Sequence, residues 1–298
     1  MRRHVLDRPV FYYAIYLSVR CLPVRLCRSL GKAVAMVIYA FSHRDREGFA
    51  FNLSIALNRP VDDPLVKRTI RRIFANYGQY MVDFFVMPQL PPHKTARFFA
   101  HLKGEDVLQR ALAKGRGAIL LSGHVGNWEF GGTMMRLAHY PLTVVALAHN
   151  APTTNALVNK LRHSKGIQVI EVDGSPFSGI EILQHLRSNG IVAMIGDKEF
   201  FGHGLPVDFL GVQVHFPVGP VVLAMKSGAA LIPAFVLKQP DGRYFGVLEE
   251  PIPLTLEGDR HSVIKENLGR TARIMETYIR RYPDQWYCPD PIVERSPL

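Results

Sequence analysis

The sequence predicts an α/β protein: a mostly parallel central sheet wrapped by helices, with basic, apolar helices attached at its amino-terminal side. Three observations carry this expectation. From residue 116 onward, short apolar runs alternate with amphipathic stretches, the pattern of repeated strand–helix–strand units. The first ninety residues lack that alternation and show helical periodicity interleaved with Arg and Lys. A chain of 298 residues buries a sizeable core in one large domain or at most two, and no internal repeat or low-complexity linker divides it. The expected organisation is a helical region over 1–90 and an α/β region over 91–298, forming one integrated unit.

In chain order, two apolar runs come first, Pro9 to Val19 and Ala33 to Phe41, separated by Arg20, Arg25, Arg28 and Lys32. Neither reaches the roughly eighteen to twenty residues a spanning helix needs. No small-residue cleavage site marks a signal peptide. Interleaved basic and apolar residues suit helices lying in a membrane interface. A core helix pair with a solvated basic face is the plainer alternative. The next helix starts after Asp62-Asp63-Pro64. Val66, Ile70, Ile73, Tyr77, Tyr80 and Phe84 recur on one face, and Lys67, Arg68, Arg71 and Arg72 crowd the first half. Positive charge there opposes the helix dipole, so these residues serve something other than helix stability, phosphate contact or plain solvation being the two readings.

Strands are expected at Ala118 to Leu121, Thr143 to Leu147, Gln168 to Val172, Ile191 to Ile195, Leu231 to Val236 and Tyr244 to Leu248. Helices are expected at Phe130 to Tyr140, Thr154 to Ser164, Ser178 to Ser188 and Gly219 to Ser227, with a long final helix from about Ser262 to Arg281 that stops before Pro283. Alternation between Gly204 and Phe216 suits a hairpin around Leu210-Gly211, a candidate wall for an apolar groove. Trp286 and Tyr287 are either interface aromatics or core closure.

Lys and Arg number 36 against 25 acidic residues, a net charge of +11. Nucleic acid and anionic membrane are the ordinary partners of such a chain. With no zinc-finger spacing, aromatic RNA-binding signature or homeodomain-like helix, membrane phosphate is the better partner and no nucleic acid is expected. Cys21, Cys27 and Cys288 form neither a metal spacing nor an even disulfide framework, so a reducing, cytoplasmic setting is the default.

The most informative stretch runs from Ala118 to Glu129. An apolar strand passes through Gly123 into His124, and Gly126 allows the turn before a helix begins. Five residues apart, His124 and Glu129 would point about 140° apart on one continuous helix, so they meet only across a turn. A carboxylate holding an imidazole in one tautomer makes a general base. A capped helix start is the bland alternative. Position favours the first, since ligands of open α/β sheets gather at the carboxyl ends of strands, where helix N-termini present free N–H groups. Gly196-Asp197-Lys198-Glu199 follows another strand at the same expected edge, and is a candidate to shape the pocket. Asp197 and Glu199 also resemble the Asp-x-Asp metal pair of sugar-nucleotide glycosyltransferases, although Lys198 between them argues against a cation. Acidic-turn capping is a third possibility. Arg162, His163 and Lys165 close a helix where cations complement the dipole, and receive no catalytic role. No Gly-x-Ser-x-Gly elbow and no phosphate-binding Gly-x4-Gly-Lys-Ser/Thr loop occurs.

The His124 block, with Gly131-Gly132 after it, resembles the His-x4-Asp/Glu signature of glycerolipid acyltransferases. More specifically it is similar to the bacterial lipid A (lauroyl/myristoyl) acyltransferase family, which includes phosphatidylinositol mannoside acyltransferases. The likeness covers most of the chain through Asn52-Leu53, Gly196 to Glu199, Val207 to Gly211, Phe216 to Pro220 leading into Lys226 to Ala229, and Pro283 to Trp286. Tyr287-Cys288-Pro289-Asp290-Pro291 departs from the lipid A branch and is closer to the mannoside branch, which usually has Asp where this chain has Glu129.

The resemblance implies a glycerolipid acyltransferase-like fold. It also implies acyl transfer from an acyl thioester, of acyl carrier protein or coenzyme A, to a hydroxyl of a membrane glycolipid at the cytoplasmic face of the bacterial inner membrane. His124 and Glu129 are then the expected catalytic pair, and the N–H groups of Gly126 and Asn127 the expected oxyanion donors. Asp197, Lys198 and Glu199 are expected to bind substrate, with no metal and no cofactor. The alternatives are a metal-dependent membrane glycosyltransferase using Asp197 and Glu199, and a non-enzymatic peripheral lipid-binding protein.

Overall fold

The structure, a computed structural model, describes residues 9–149, 151–172 and 174–293, so the two ends of the expected 1–90 and 91–298 regions lie outside the described residues. Four helices open the chain: α1 (Pro9–Cys21), α2 (Val24–Phe41), α3 (His43–Leu57) and α4 (Pro64–Val86). The start of α4 follows from its sequence. The Asp63 side chain accepts the Leu65 N–H at 2.7 Å, and Pro64 occupies the first helical position, where its missing N–H costs nothing.

A short turn α5 (Pro92–Thr95) leads to β1 (Phe99–Lys103) and α6 (Glu105–Leu112). The α/β alternation then runs β2 (Ala118–Ser122), α7 (Trp128–Leu137), β3 (Leu142–Leu147), α8 (Pro152–Ser164), β4 (Gln168–Val172), α9 (Pro176–Arg187) and β5 (Ile191–Ile195). The hairpin β6 (Leu205–Phe209) and β7 (Val212–Phe216) interrupts it, before α10 (Gly219–Ser227), β8 (Ala230–Lys238), β9 (Tyr244–Leu248) and α11 (Arg260–Arg281).

The main sheet has seven strands in the order β1-β9-β8-β2-β5-β3-β4. β8, β2, β5, β3 and β4 run parallel, while β9 pairs antiparallel with β8 and carries β1 alongside it. The expected strands and helices are all present, with ends that move by up to three residues. β1 and α6 were not anticipated, because β1 is a short, half-exposed edge without clear alternation.

β2 sits at the centre with all five residues buried. Ile119 and Leu121 join the core beneath α9, α10 and α11; Ala118 and Leu120 join the smaller core beneath α6 and α7. Burial on both faces is why the strand reads as an unbroken apolar run rather than an alternating one. The hairpin packs on α11, where Glu276 accepts the Leu210 N–H at 2.8 Å, and Val207, Phe209 and Phe216 are core residues. It therefore does not wall a groove.

The amino-terminal helices attach through buried polar contacts as well as apolar packing. Asp83 on α4 is fully buried and accepts from Arg28 Nε at 2.7 Å, Arg28 Nη2 at 2.9 Å and the Tyr244 hydroxyl at 2.8 Å. Burial raises the Asp83 carboxyl above the usual range while the Arg28 guanidinium opposes the rise. Arg28 is thus turned inward, which corrects its expected place among headgroup-facing cations. Arg20, Arg25 and Lys32 are exposed, as are Lys67, Arg68, Arg71 and Arg72, although Arg72 reaches Asp284 at 3.1 Å. Among the described residues no helix is long and apolar enough to cross a membrane.

On α3, Asn52 donates to the carbonyls of Cys288 and Asp290, each at 2.8 Å, and accepts the Ile292 N–H at 3.0 Å. The Asn52-Leu53 pair is thereby a clamp on the carboxyl-terminal strap. That strap returns across the sheet edge where β2 ends.

Candidate active site

The parallel register of β2 and β5 builds the centre of the site. Ser122 faces Ile195, and the Gly196 N–H bonds the Ser122 carbonyl at 2.8 Å. Two residues past each strand end, His124 and Asp197 stand side by side. Asp197 Oδ2 accepts the His124 backbone N–H at 2.8 Å and Oδ1 lies 2.6 Å from His124 Nδ1. An ionised carboxylate only accepts, so Nδ1 carries the proton and Nε2 is left as the basic nitrogen. Burial pushes the Asp197 carboxyl up, but its bonds to His124 outweigh this and hold it below the usual range. From the other side, the Tyr287 N–H holds the His124 carbonyl at 2.8 Å.

This arrangement corrects the expected His124–Glu129 pair. Glu129 lies in the first turn of α7 and faces α8, where the Arg162 guanidinium grips it with both Nη2 and Nε, the latter at 3.3 Å. A bidentate guanidinium is the stronger partner for a buried carboxylate than a neutral imidazole, and the Nδ1 of His124 is already taken. Burial alone would raise Glu129; Arg162, with Lys165 and His149 farther off, holds it below its ordinary value. Lys165 is itself buried, with its Nζ 5.0 Å from the Phe84 ring centre, and desolvation brings its ammonium down to about 8. Helix-dipole reasoning missed this charge cluster because the spacing gives no sign that the last turn of α8 points inward.

Gly126 and Asn127 need the second correction. The Gly126 N–H bonds the Gln285 carbonyl at 2.9 Å and the Asn127 N–H bonds the Val236 carbonyl at 2.7 Å, so neither amide is open to an oxyanion. Their work is structural. Gly126 has φ of 74°, and a Cβ there would lie 2.0 Å from the Val236 oxygen, so only glycine lets the turn lie against β8. Asn127 caps α7 by accepting the Phe130 N–H at 2.9 Å. The first-turn amides of Trp128 and Glu129, which a helix cannot satisfy internally, are the donors this turn leaves.

Lys198 and Glu199 line the cavity but brace its rim. Lys198 pairs with Asp290, and Glu199 accepts the N–H groups of Phe201 and Gly202, each at 2.7 Å. Asp197 and Glu199 therefore serve different partners rather than one shared cation. Trp286 is buried core, while Tyr287 joins Tyr77, Tyr80 and Trp128 in an aromatic group whose Trp128 ring stands edge-on to His124 with centres 5.3 Å apart. His124, Trp128, Glu129, Arg162, Lys198 and Tyr287 line one cavity of about 1040 Å³. Its walls are mostly apolar and come from α1, α2 and α4 as well as from the sheet. Ala193 and Ala234, on central strands, are small enough to leave part of the space open.

Residues 3–288 match the family model described as bacterial lipid A biosynthesis acyltransferase. The chain belongs to that family. It is 30% identical over 285 residues to phosphatidylinositol mannoside acyltransferase of Mycobacterium tuberculosis, in strains CDC 1551 / Oshkosh and ATCC 25618 / H37Rv. That alignment covers 94% of this chain and 86% of the relative. The enzyme of the same description from Mycolicibacterium smegmatis is 28% identical over 283 residues, covering 94% and 89%. This lipid A biosynthesis acyltransferase family member is accordingly an acyltransferase, and a non-enzymatic lipid-binding role is set aside.

Proposed function

We propose that the protein transfers a fatty acyl group from an acyl thioester, of acyl carrier protein or coenzyme A, to a hydroxyl of a membrane glycolipid of the phosphatidylinositol mannoside type. The observation that carries the reading is the His124–Asp197 pair at the carboxyl edge of a parallel sheet, with His124 lining a large apolar cavity. His124 Nε2 takes the proton of the acceptor hydroxyl as its oxygen attacks the thioester carbonyl carbon. Asp197 offsets the charge of the imidazolium that forms. The Trp128 and Glu129 amides receive the developing oxyanion. As the tetrahedral intermediate collapses, the C–S bond breaks and the imidazolium returns its proton to the leaving thiolate. An ester and a free thiol result, and neither step calls on a metal or cofactor.

The Glu129–Arg162 pair fixes α7 against α8 and so sets the direction in which those two amides point. The 1–90 region, on this reading, holds the protein peripherally at the cytoplasmic face of the inner membrane, with Arg20, Arg25 and Lys32 toward anionic headgroups. Mass spectrometry of lipids from cells with and without the protein tests the proposal. A glycolipid gaining one acyl chain only when the protein is present is expected; an unchanged lipid profile would overturn it.

A further inference from the structure

Two exposed apolar stretches adjoin the cavity. The first is on α2, where Leu30 and Val34 line the cavity and Val37 and Phe41 continue the exposed stripe. The second comes from parts of the chain that carry no basic–apolar pattern. On α9, Phe177 is 77% exposed and Ile180 is 51% exposed, three residues apart and so on one face of the helix. Between them Ser178 and Gly179 line the cavity. In the segment after β5, Phe200 and Phe201 are 42% and 40% exposed and line the same cavity. α9 has a separate buried face, Ile182 and Leu186, so the exposed pair is surplus to its own packing.

The two pieces are joined. A Cβ on Gly174, just before α9, would come within 2.9 Å of the Phe201 ring, so that ring rests directly on the turn leading into the helix. Beside it the Lys198 ammonium sits 5.2 Å from the Phe200 ring centre. The Lys198 charge is met by Asp290, so this stretch offers lipid its exposed aromatic and aliphatic side chains, while exposed Arg20, Arg25 and Lys32 on α1 and α2 favour an anionic surface.

We propose that Phe177, Ile180, Phe200 and Phe201 form a second membrane-insertion edge that dips into an anionic bilayer in addition to α2. The cavity mouth is then held over lipid, and a glycolipid acceptor offers its headgroup hydroxyl to His124 while its acyl tails stay in the bilayer. The inference rests on the peripheral-membrane reading above, and its test separates the two.

Three variants, Phe177→Trp, Val34→Trp and Leu256→Trp, are mixed with vesicles of phosphatidylglycerol and brominated phosphatidylcholine, with Trp128 and Trp286 as the common background. Leu256 is 65% exposed and lies where the chain after β9 returns to the amino end of β8, away from the mouth. Blue-shifted, bromine-quenched emission is expected at 177 and 34 and not at 256. Quenching at 34 alone would overturn the second edge and leave peripheral attachment by α2 standing. No quenching at either would overturn both, and equal quenching at all three would mean unoriented adsorption, which also sinks the proposal. In the second arm, the double change Phe177→Asp and Ile180→Asp should weaken vesicle partitioning by about tenfold or more while leaving turnover of a water-soluble acceptor unchanged. Unchanged partitioning would overturn the proposal.

Discussion

Replacing Asp197 with Asn separates the two candidate carboxylates. Asp197 Oδ2 accepts the His124 backbone N–H at 2.8 Å, so the amide oxygen of Asn must take that place. Its NH₂ then faces Nδ1, where 2.6 Å separated ring nitrogen from carboxylate oxygen, and donates to it. The imidazole is forced to carry its proton on Nε2, the nitrogen that has to accept the hydroxyl proton. The charge that stabilised the imidazolium is lost as well. Wrong tautomer plus lost charge predicts a fall in kcat on the order of 10² to 10⁴, about 3 to 5 kcal/mol of barrier, with the fold retained.

Glu129→Gln acts differently. It leaves Arg162 buried without its counter-charge, which costs on the order of 3 kcal/mol of stability, and it reaches the chemistry only through the position of α7. The assay is single-turnover acyl transfer from a thioester to a glycolipid, with thermal melts of each variant. A folded Asp197→Asn protein with near-parent kcat, beside a folded Glu129→Gln protein that is inactive, would refute the assignment.

Other outcomes follow from the same geometry. His124→Ala should lower turnover by about 10²-fold or more with an unchanged melting temperature, and retained turnover would remove it as the base. Prolonged chelation should leave activity intact, because Asp197 and Glu199 are each held by separate partners; loss with recovery on Mg²⁺ or Mn²⁺ would favour a metal-dependent glycosyl transfer. A thiol reagent should label Cys21 in the native protein and spare Cys27 and Cys288, since both are buried and burial pushes the Cys288 thiol up to about 12. Lys165 titrates at about 8 when folded against 10.5 when free, so the unfolded chain binds more protons between those values and stability rises with pH across that window. Lys165→Met should remove the part of that rise due to Lys165, at most about 3 kcal/mol, and leave the part due to Lys238, which is also depressed to about 8; an unchanged slope would refute it.

The parts of the fold that could be read from the sequence are those whose cause is local. Strands buried on both faces give unbroken apolar runs such as Ala118 to Leu121, and helix starts such as Asp63-Pro64 carry their own cap. The position of His124 on a strand-to-helix turn was legible for the same reason. What Arg28 does was not, because its partner Asp83 is 55 residues away and an arginine between two apolar runs looks alike whether it faces lipid or a buried carboxylate. Gly126 is legible as a turn residue, but whether its amide and that of Asn127 stay free for an oxyanion depends on β8 and on the strap at Gln285, neither of which has any mark in the local sequence.

The partner of His124 is the sharpest case. Sequence proximity suggested Glu129, five residues on, whereas the register of two parallel strands brought Asp197, 73 residues on, to hydrogen-bond distance. A signal was present. His124 and Asp197 each stand two residues past a strand end, and Gly123 and Gly196 immediately precede them in the same way. That symmetry acquires meaning only once β5 is known to lie beside β2, with β3 displaced by one place, and strand order is a property of the packed sheet. In a parallel sheet, residues at equal distance beyond adjacent strand ends share an edge. A motif that names two residues close in sequence can therefore hold one that does the chemistry and one that fixes the helix beside it, which is the division the proposed mechanism gives His124 and Glu129.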